Sequence, residues 1–274
     1  MNKAMLFIDE PFLSAWHGGD PFTAVEKLEG EVFRELEARR TLRTEMAGRA
    51  YFVKIHRGVG WAEILKNLLS LRLPVLGASN EWRAIRRLLE LGVDTMHAVA
   101  FAQRGNNPAT QHSFIVTEEL APTISLEDFC RDWPSAPPAP ALKRALIERV
   151  AEMAGRMHRG GLNHRDFYIC HFLLHLDPVP TPDALKLSLI DLHRAQVRGN
   201  LPRRWRDKDL ASLYFSALDI GLTRRDILRF LRVYFARSLR DILREESALL
   251  NDLAREADRL HERFLRKYAK DATA

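Results

Sequence analysis

Gly160-Gly161-Leu162-Asn163-His164-Arg165-Asp166-Phe167-Tyr168-Ile169-Cys170-His171 is the stretch whose reading decides the fold. Upstream, Leu142, Leu146, Val150, Met153 and Met157 recur at helical spacing, and the paired glycines stop that helix because glycine takes a terminal backbone conformation at no steric cost. The helix gives way to a loop holding an imidazole, a guanidinium and a carboxylate side by side. Downstream, Phe172 to Leu176 and Leu185 to Ile190 are strand-length apolar runs on either side of a Pro-rich turn from Asp177 to Ala184. Asp191 stands directly after the second run, so one carboxylate precedes a hairpin and another ends it.

Working outward toward the N-terminus, Val32 to Leu36 and Arg39 to Thr44 read as a strand pair, and Ala47-Gly48 offers a turn before Ala50-Tyr51-Phe52-Val53-Lys54-Ile55. Lys54 interrupts an otherwise core-like strand and needs a counter-charge if it is buried there. Trp61, Ile64, Leu65, Leu68 and Leu69 have amphipathic-helix spacing, and Leu71, Leu73, Val75 and Leu76 extend the apolar surface. Asn80 is the expected cap of a helix from Glu81 to Leu91, ended by Gly92, with Trp82, Ile85, Leu88 and Leu89 as its buried stripe. Glu81 is the first-turn acid of that helix. Phe114 to Thr117 is a further strand, and the four prolines in Trp133 to Pro140 mark a surface loop.

The chain has 274 residues, 46% of them hydrophobic and 28% charged, enough for a packed core and too short for several independent domains. Lys and Arg exceed Asp and Glu by 42 to 36, a formal charge of +6 that favours an anionic partner. Cys130 and Cys170 are read as buried small hydrophobes in a reducing compartment rather than as a disulfide. Met1 to Leu13 lacks the apolar core of a secretory signal, and Asn67 to Asn80, the best apolar run, is broken by Arg72 and Pro74, so a cytoplasmic protein is expected. From Leu210 onward the pattern is helical. Strands first and helices later predict an α+β arrangement: a small sheet-containing N-lobe over 1–119, with an apolar insertion at 58–79, then a larger, mainly helical C-lobe over 120–274.

The chain lacks a P-loop, a Gly-x-Gly-x-x-Gly and a His-Glu-x-x-His sequence. His164, His171 and His175 lie close in sequence, but no thiolate pair completes a zinc set. The ordered set Lys54, Glu81, His164-Arg165-Asp166 and Asp191 resembles the protein-kinase pattern. The resemblance implies a bilobal fold with ATP and Mg²⁺ between the lobes: Lys54 pairs nucleotide phosphates and is held by Glu81, Asp166 engages the acceptor hydroxyl beside Arg165, and Asp191 holds metal. Independent physical reasoning asks for the same parts, namely cations against phosphate charge, a carboxylate for the hydroxyl and another for the metal.

Three features depart from that pattern. The nucleotide loop falls on Glu29 to Arg34 with a single glycine, Gly30; His171 stands where a metal-binding Asn is usual; and Asp191-Leu192-His193 replaces Asp-Phe-Gly without a later Ala-Pro-Glu, which disfavours peptide substrates. In finer detail Tyr51 to His56, Gly58-Val59-Gly60-Trp61, Arg72 to Gly77, Asn80-Glu81-Trp82 and His164 to Leu174 look like the lipopolysaccharide core heptose(I) kinases, nearly throughout the chain. That resemblance implies ATP-dependent phosphorylation of the first heptose of the inner core, with Mg²⁺, at the cytoplasmic face of the inner membrane, and makes His171 a family trait at the metal position.

On this reading Glu118-Glu119-Leu120 is the hinge whose backbone holds adenine. The segment 194–240 carries eleven Arg and one Lys against four Asp, and Arg203, Arg204 and Arg206 are candidates for the anionic acceptor. Trp61 to Leu76 completes a core or docks on a membrane, on acyl chains of the glycolipid, or on an acyl-bearing protein. The rivals are a kinase for another inner-core sugar, a protein kinase, a degenerate kinase acting as scaffold, and a basic nucleic-acid-binding module, for which no recognised sequence feature speaks.

Overall fold

The structure, a computed structural model, describes residues 5–69 and 77–271. The chain divides into two compact units, the first comprising residues 1–86, 96–120 and 192–194, the second 87–95, 121–191 and 195–274. The division is not a single cut after residue 119, because 87–95 group with the second unit and 192–194 with the first.

The first unit is built on a fully antiparallel six-stranded sheet. Its strands are β1 (Met5–Ile8), β2 (Glu31–Leu36), β3 (Arg39–Met46), β4 (Arg49–His56), β5 (Ala98–Arg104) and β6 (His112–Glu118), in the spatial order β1-β5-β6-β4-β3-β2. Ala47 and Gly48 both have positive φ and form the two-residue hairpin turn expected between β3 and β4. Strand alternation sends Tyr51, Val53 and Ile55 to one face, where they join Phe114 and Val116 in a core closed by the short helices α1 (Phe12–Ala15) and α2 (Pro21–Glu26). Phe12 packs edge-on against Tyr51 at 5.0 Å and Phe22 against Phe114 at 5.3 Å. The other face carries Phe52, Lys54 and His56.

Helix α3 (Gly60–Leu69) has the expected spacing and buries Ile64, while Trp61, Leu65 and Leu69 are exposed. The apolar continuation at Leu71, Leu73, Val75 and Leu76 lies outside the described residues. Helix α4 spans Ser79–Glu90, so Asn80 is its second residue and not its cap; the Trp82 amide bonds to the Ala78 carbonyl at 3.0 Å. Its buried stripe is Glu81, Ala84, Ile85 and Leu88, and Leu89 faces solvent. Trp82 is half-buried and stacks on Phe101 with centroids 5.0 Å apart.

The second unit is mainly helical. It contains β7 (Thr123–Ser125), α5 (Leu126–Cys130), α6 (Pro140–Arg159), β8 (Leu162–Asn163), β9 (Phe172–His175), β10 (Leu187–Leu189), β11 (Gln196–Val197), α7 (Arg203–Ser216), α8 (Arg224–Phe235), α9 (Leu239–Glu245) and α10 (Ser247–Asp271). β10, β9 and β7 form a small antiparallel sheet, and β8 pairs with β11. Trp133, read as part of a surface loop, is buried. Cys130 is buried as expected, whereas Cys170 is only half-buried. Burial pushes both thiols up, to about 12 and about 11, so neither is a thiolate at neutral pH. Among the described residues no helix is long and apolar enough to cross a membrane.

Candidate active site

On the face of the first unit's sheet opposite the Tyr51, Val53 and Ile55 core, β4 presents Lys54 and α4 brings Glu81 to it. Lys54 Nζ lies 2.7 Å from Glu81 Oε1, and the Glu81 side chain is 1% exposed. A carboxylate buried that deeply is tolerable only beside a cation. The pair therefore fixes both the lysine's direction and the helix's rotation, and it is the counter-charge Lys54 needs.

In the second unit α6 ends at Arg159, and Gly161, at φ 82°, turns the chain; an added Cβ there would lie 2.1 Å from the Arg198 carbonyl oxygen. The loop beyond this turn is held from beneath by Asp209 of α7, itself 1% exposed. Its Oδ2 accepts the His164 amide at 2.6 Å and its Oδ1 the Arg165 amide at 2.9 Å. His158 Nε2, 3.3 Å from the same Oδ2, donates to it, which leaves Nδ1 to accept the Tyr234 hydroxyl at 2.8 Å. Burial raises the Tyr234 phenol, so it stays a donor at any working pH. Arg165 adopts a left-handed φ of 77°, strain of about 1–3 kcal/mol that the two Asp209 bonds retain. Phe167, fully buried, packs on Phe172 at 5.3 Å and anchors the far side of the loop.

Asp191 has a left-handed φ of 60° after β10, a strand held by the Thr95 hydroxyl on the Leu189 carbonyl at 2.6 Å and the Leu189 amide on the Asp94 carbonyl at 2.9 Å. His164 donates from Nε2 to the Ile190 carbonyl at 2.9 Å, and burial foremost lowers its pKa, so it is a neutral strut between loop and strand. His171 stacks on it at 5.6 Å. Its Nδ1–H donates to the Asp166 carbonyl at 2.6 Å, and its Nε2 lies 3.5 Å from Asp191 Oδ2. The second unit thus brings Asp166, His171 and Asp191 together around one hydrogen-bonded loop.

Among the described residues no group of three His, Cys, Asp or Glu side chains is arranged to hold a metal unaided. Mg²⁺ asks for less, since it keeps waters and binds one or two carboxylates plus substrate phosphates. Asp191 fits that demand. The imidazole of His171 is a nitrogen donor ill matched to an ion that prefers oxygen ligands, and its Nδ1 is engaged by the Asp166 carbonyl.

Other expected residues fall differently. Gly30 is the bend that ends the α2–β2 connection, directly before β2, and a Cβ there would sit 2.0 Å from the Arg43 carbonyl oxygen. The close Arg43 carbonyl explains that glycine, and Glu29 to Arg34, expected as a nucleotide loop, instead leads into and forms part of β2, whose turn to β3 at Glu37-Ala38 has no glycine. The Glu118 amide donates to the His97 carbonyl and the Glu119 amide to the Ala50 carbonyl, both at 2.9 Å, so neither amide is open to adenine. Arg43 clamps the Glu119 carboxylate at 3.0 and 2.8 Å, and Leu120 ends the first unit's 96–120 segment. Arg203 and Arg204 start α7 in the open, with Arg204 over the Trp205 ring at 5.1 Å, while Arg206 is paired with Asp207 at 2.7 Å and is not an open anion ligand.

Asp209, His158 and Tyr234 do not stand out in the sequence; the available signal was one acid among Leu210, Ala211 and Leu213 in a helix. Asp209→Asn should turn an amide NH₂ toward a backbone N–H, lowering stability by about 1–3 kcal/mol. We expect the turnover number to fall more than the KM for ATP rises, read from urea unfolding and initial rates.

A family model described as the lipopolysaccharide kinase (Kdo/WaaP) family matches residues 23–234. A lipopolysaccharide core heptose(I) kinase WaaP of Pseudomonas aeruginosa is 66% identical over 258 residues, covering 94% of this chain and 96% of that one. The Escherichia coli K12 protein of the same description is 58% identical over 263 residues, covering 96% and 99%. A solved structure of WaaP in complex with acyl carrier protein superposes with a TM-score of 0.84 at 61% identity, covering 94% of this chain and 99% of that one.

Proposed function

The chain belongs to the lipopolysaccharide kinase (Kdo/WaaP) family, and from that premise we propose that it transfers the γ-phosphoryl group of ATP to the first heptose of the lipopolysaccharide inner core. The observation that carries this reading is identity of 58–66% over nearly the whole chain to heptose(I) kinases. Family membership speaks for a kinase and against a basic module without catalysis.

Asp166 orients the heptose hydroxyl and accepts its proton at the carboxylate as the oxygen attacks. The Asp209 bonds hold that loop before substrate arrives, so little ordering is left for the reaction step. Lys54, fixed by Glu81, offsets phosphate charge. Asp191 would hold Mg²⁺, which when bound neutralises charge on the transferred phosphoryl group. Arg165 beside Asp166, and Arg203 and Arg204 at the start of α7, attract the acceptor's anionic groups.

The second unit also contains a partly open apolar pocket of about 330 Å³ among α5, α6, α7, α8 and α10, lined by Leu146, Leu213, Tyr214, Phe230, Leu231 and Leu253. Its size falls in the range of small-molecule sites and its lining asks for a hydrocarbon ligand. We take it as the seat of an acyl chain delivered by an acyl carrier protein, the partner in the similar solved complex. Exposed Trp61, Leu65 and Leu69 supply peripheral contact with the inner membrane's cytoplasmic face. Ala217→Trp, which fills the pocket, should weaken binding of acylated carrier protein by about tenfold or more at roughly 0.8 kcal/mol per displaced methylene, and leave the unacylated carrier unaffected. Calorimetric titration of both carriers checks this.

Production of ADP that depends on added inner-core glycolipid, and not on peptide, tests the proposed activity. Turnover driven by peptide alone would favour a protein kinase.

A further inference from the structure

β3 carries a second line of side chains beside Lys54. Residues directly opposite in an antiparallel pair share a face, and neighbours along a strand alternate. The register sets Arg39 opposite His56 and Thr41 opposite Lys54, so these four side chains occupy the face where Glu81 meets Lys54. The proximity is also felt by His56, which burial foremost, then the charges of Arg39 and Lys54, hold at about 3.

Thr41 Oγ1, His56 Nε2 and Glu81 Oε2 in this cluster are buried without a hydrogen-bond partner among the described residues. A buried hydroxyl left unbonded carries its whole desolvation cost, which valine would avoid in the same volume. An acceptor from outside the chain removes that cost, and beside a lysine the acceptor is an anion. The hairpin that would close over phosphates turns at Glu37-Ala38 with no glycine, and Gly30 is filled against the Arg43 carbonyl. Backbone amides there cannot cradle phosphates as a glycine-rich loop does.

We propose that Arg39 and Thr41 bind the polyphosphate of the nucleotide, their side chains taking over from a glycine-rich loop. Thr41 donates its hydroxyl to a phosphate oxygen next to Lys54, and Arg39 engages a terminal phosphate through its guanidinium. The inference rests on the nucleotide use proposed above.

Calorimetric titration of the full chain with ATP and with AMP tests it. Arg39→Met should weaken ATP at least tenfold and AMP less than twofold. Thr41→Val should weaken ATP about fivefold without lowering the melting temperature of the nucleotide-free protein, and Thr41→Ser should restore binding. Unchanged ATP affinity in both variants, or equal losses for ATP and AMP, would overturn the inference while leaving nucleotide use intact. Failure of the unaltered protein to bind ATP would instead remove the function proposed above.

Discussion

Asp166→Asn should abolish phosphoryl transfer to the glycolipid, with the turnover number falling by about 10²–10⁴, the range a positioned general base contributes. The amide keeps the shape of the carboxylate but cannot take the hydroxyl proton. The hydrogen bonds that build the loop use backbone atoms around Asp166: its carbonyl accepts His171 Nδ1–H at 2.6 Å and the Tyr168 amide at 3.1 Å. The loop therefore keeps its form in the variant, and ATP should bind within about twofold of the unaltered protein, since the loss lies in one proton-accepting atom. Initial-rate kinetics paired with calorimetric ATP binding separate the two quantities. Retained turnover would move the base elsewhere.

Lys54→Met should be nearly as damaging, for a different reason. Methionine reproduces most of the stem and none of the charge. It strands Glu81, 1% exposed, opposite an apolar atom, and breaking one side of a buried ion pair costs about 3–5 kcal/mol. Loss of the phosphate-facing cation should further cut turnover by about 10²–10³, as removal of a single electrostatic donor does in other active sites. A double variant, Lys54→Met with Glu81→Leu, separates the effects because no charge is left buried. Its urea midpoint should return close to that of the unaltered protein while activity stays lost. A stable and active double variant would make the pair structural only.

Much of this geometry was legible in the chain. Lys54 stood out because a charge in the run Tyr51 to Ile55 breaks an apolar strand, and the same run's alternation placed Val53 and Ile55 on the opposite face. His164-Arg165-Asp166 and Asp191 were legible through their order around a predicted hairpin, since turn residues and apolar runs mark such a unit locally. β5 escaped because Ala98-Val99-Ala100-Phe101-Ala102 is alanine-rich and of low strand propensity; pairing with β1 and β6 on both sides decides its state. Asn80 is not the cap because the helix begins at Ser79, two residues before the expected start, within the usual scatter of helix ends.

Asp209 was illegible for a deeper reason. It is one acid in a basic segment, and its role arises only when α7 packs beneath a loop some 45 residues earlier in the chain. Gly30 misled in the opposite sense. A lone glycine near a strand reads as a flexible loop, whereas here it admits the Arg43 carbonyl.

The most direct test of the account is fragmentation mass spectrometry of phosphate-free inner-core glycolipid after incubation with the protein, ATP and Mg²⁺. The expected spectrum carries one added phosphate, located on the first heptose, and none when Asp166→Asn replaces the unaltered protein. An unmodified glycolipid, or a phosphate on any other sugar, would contradict it.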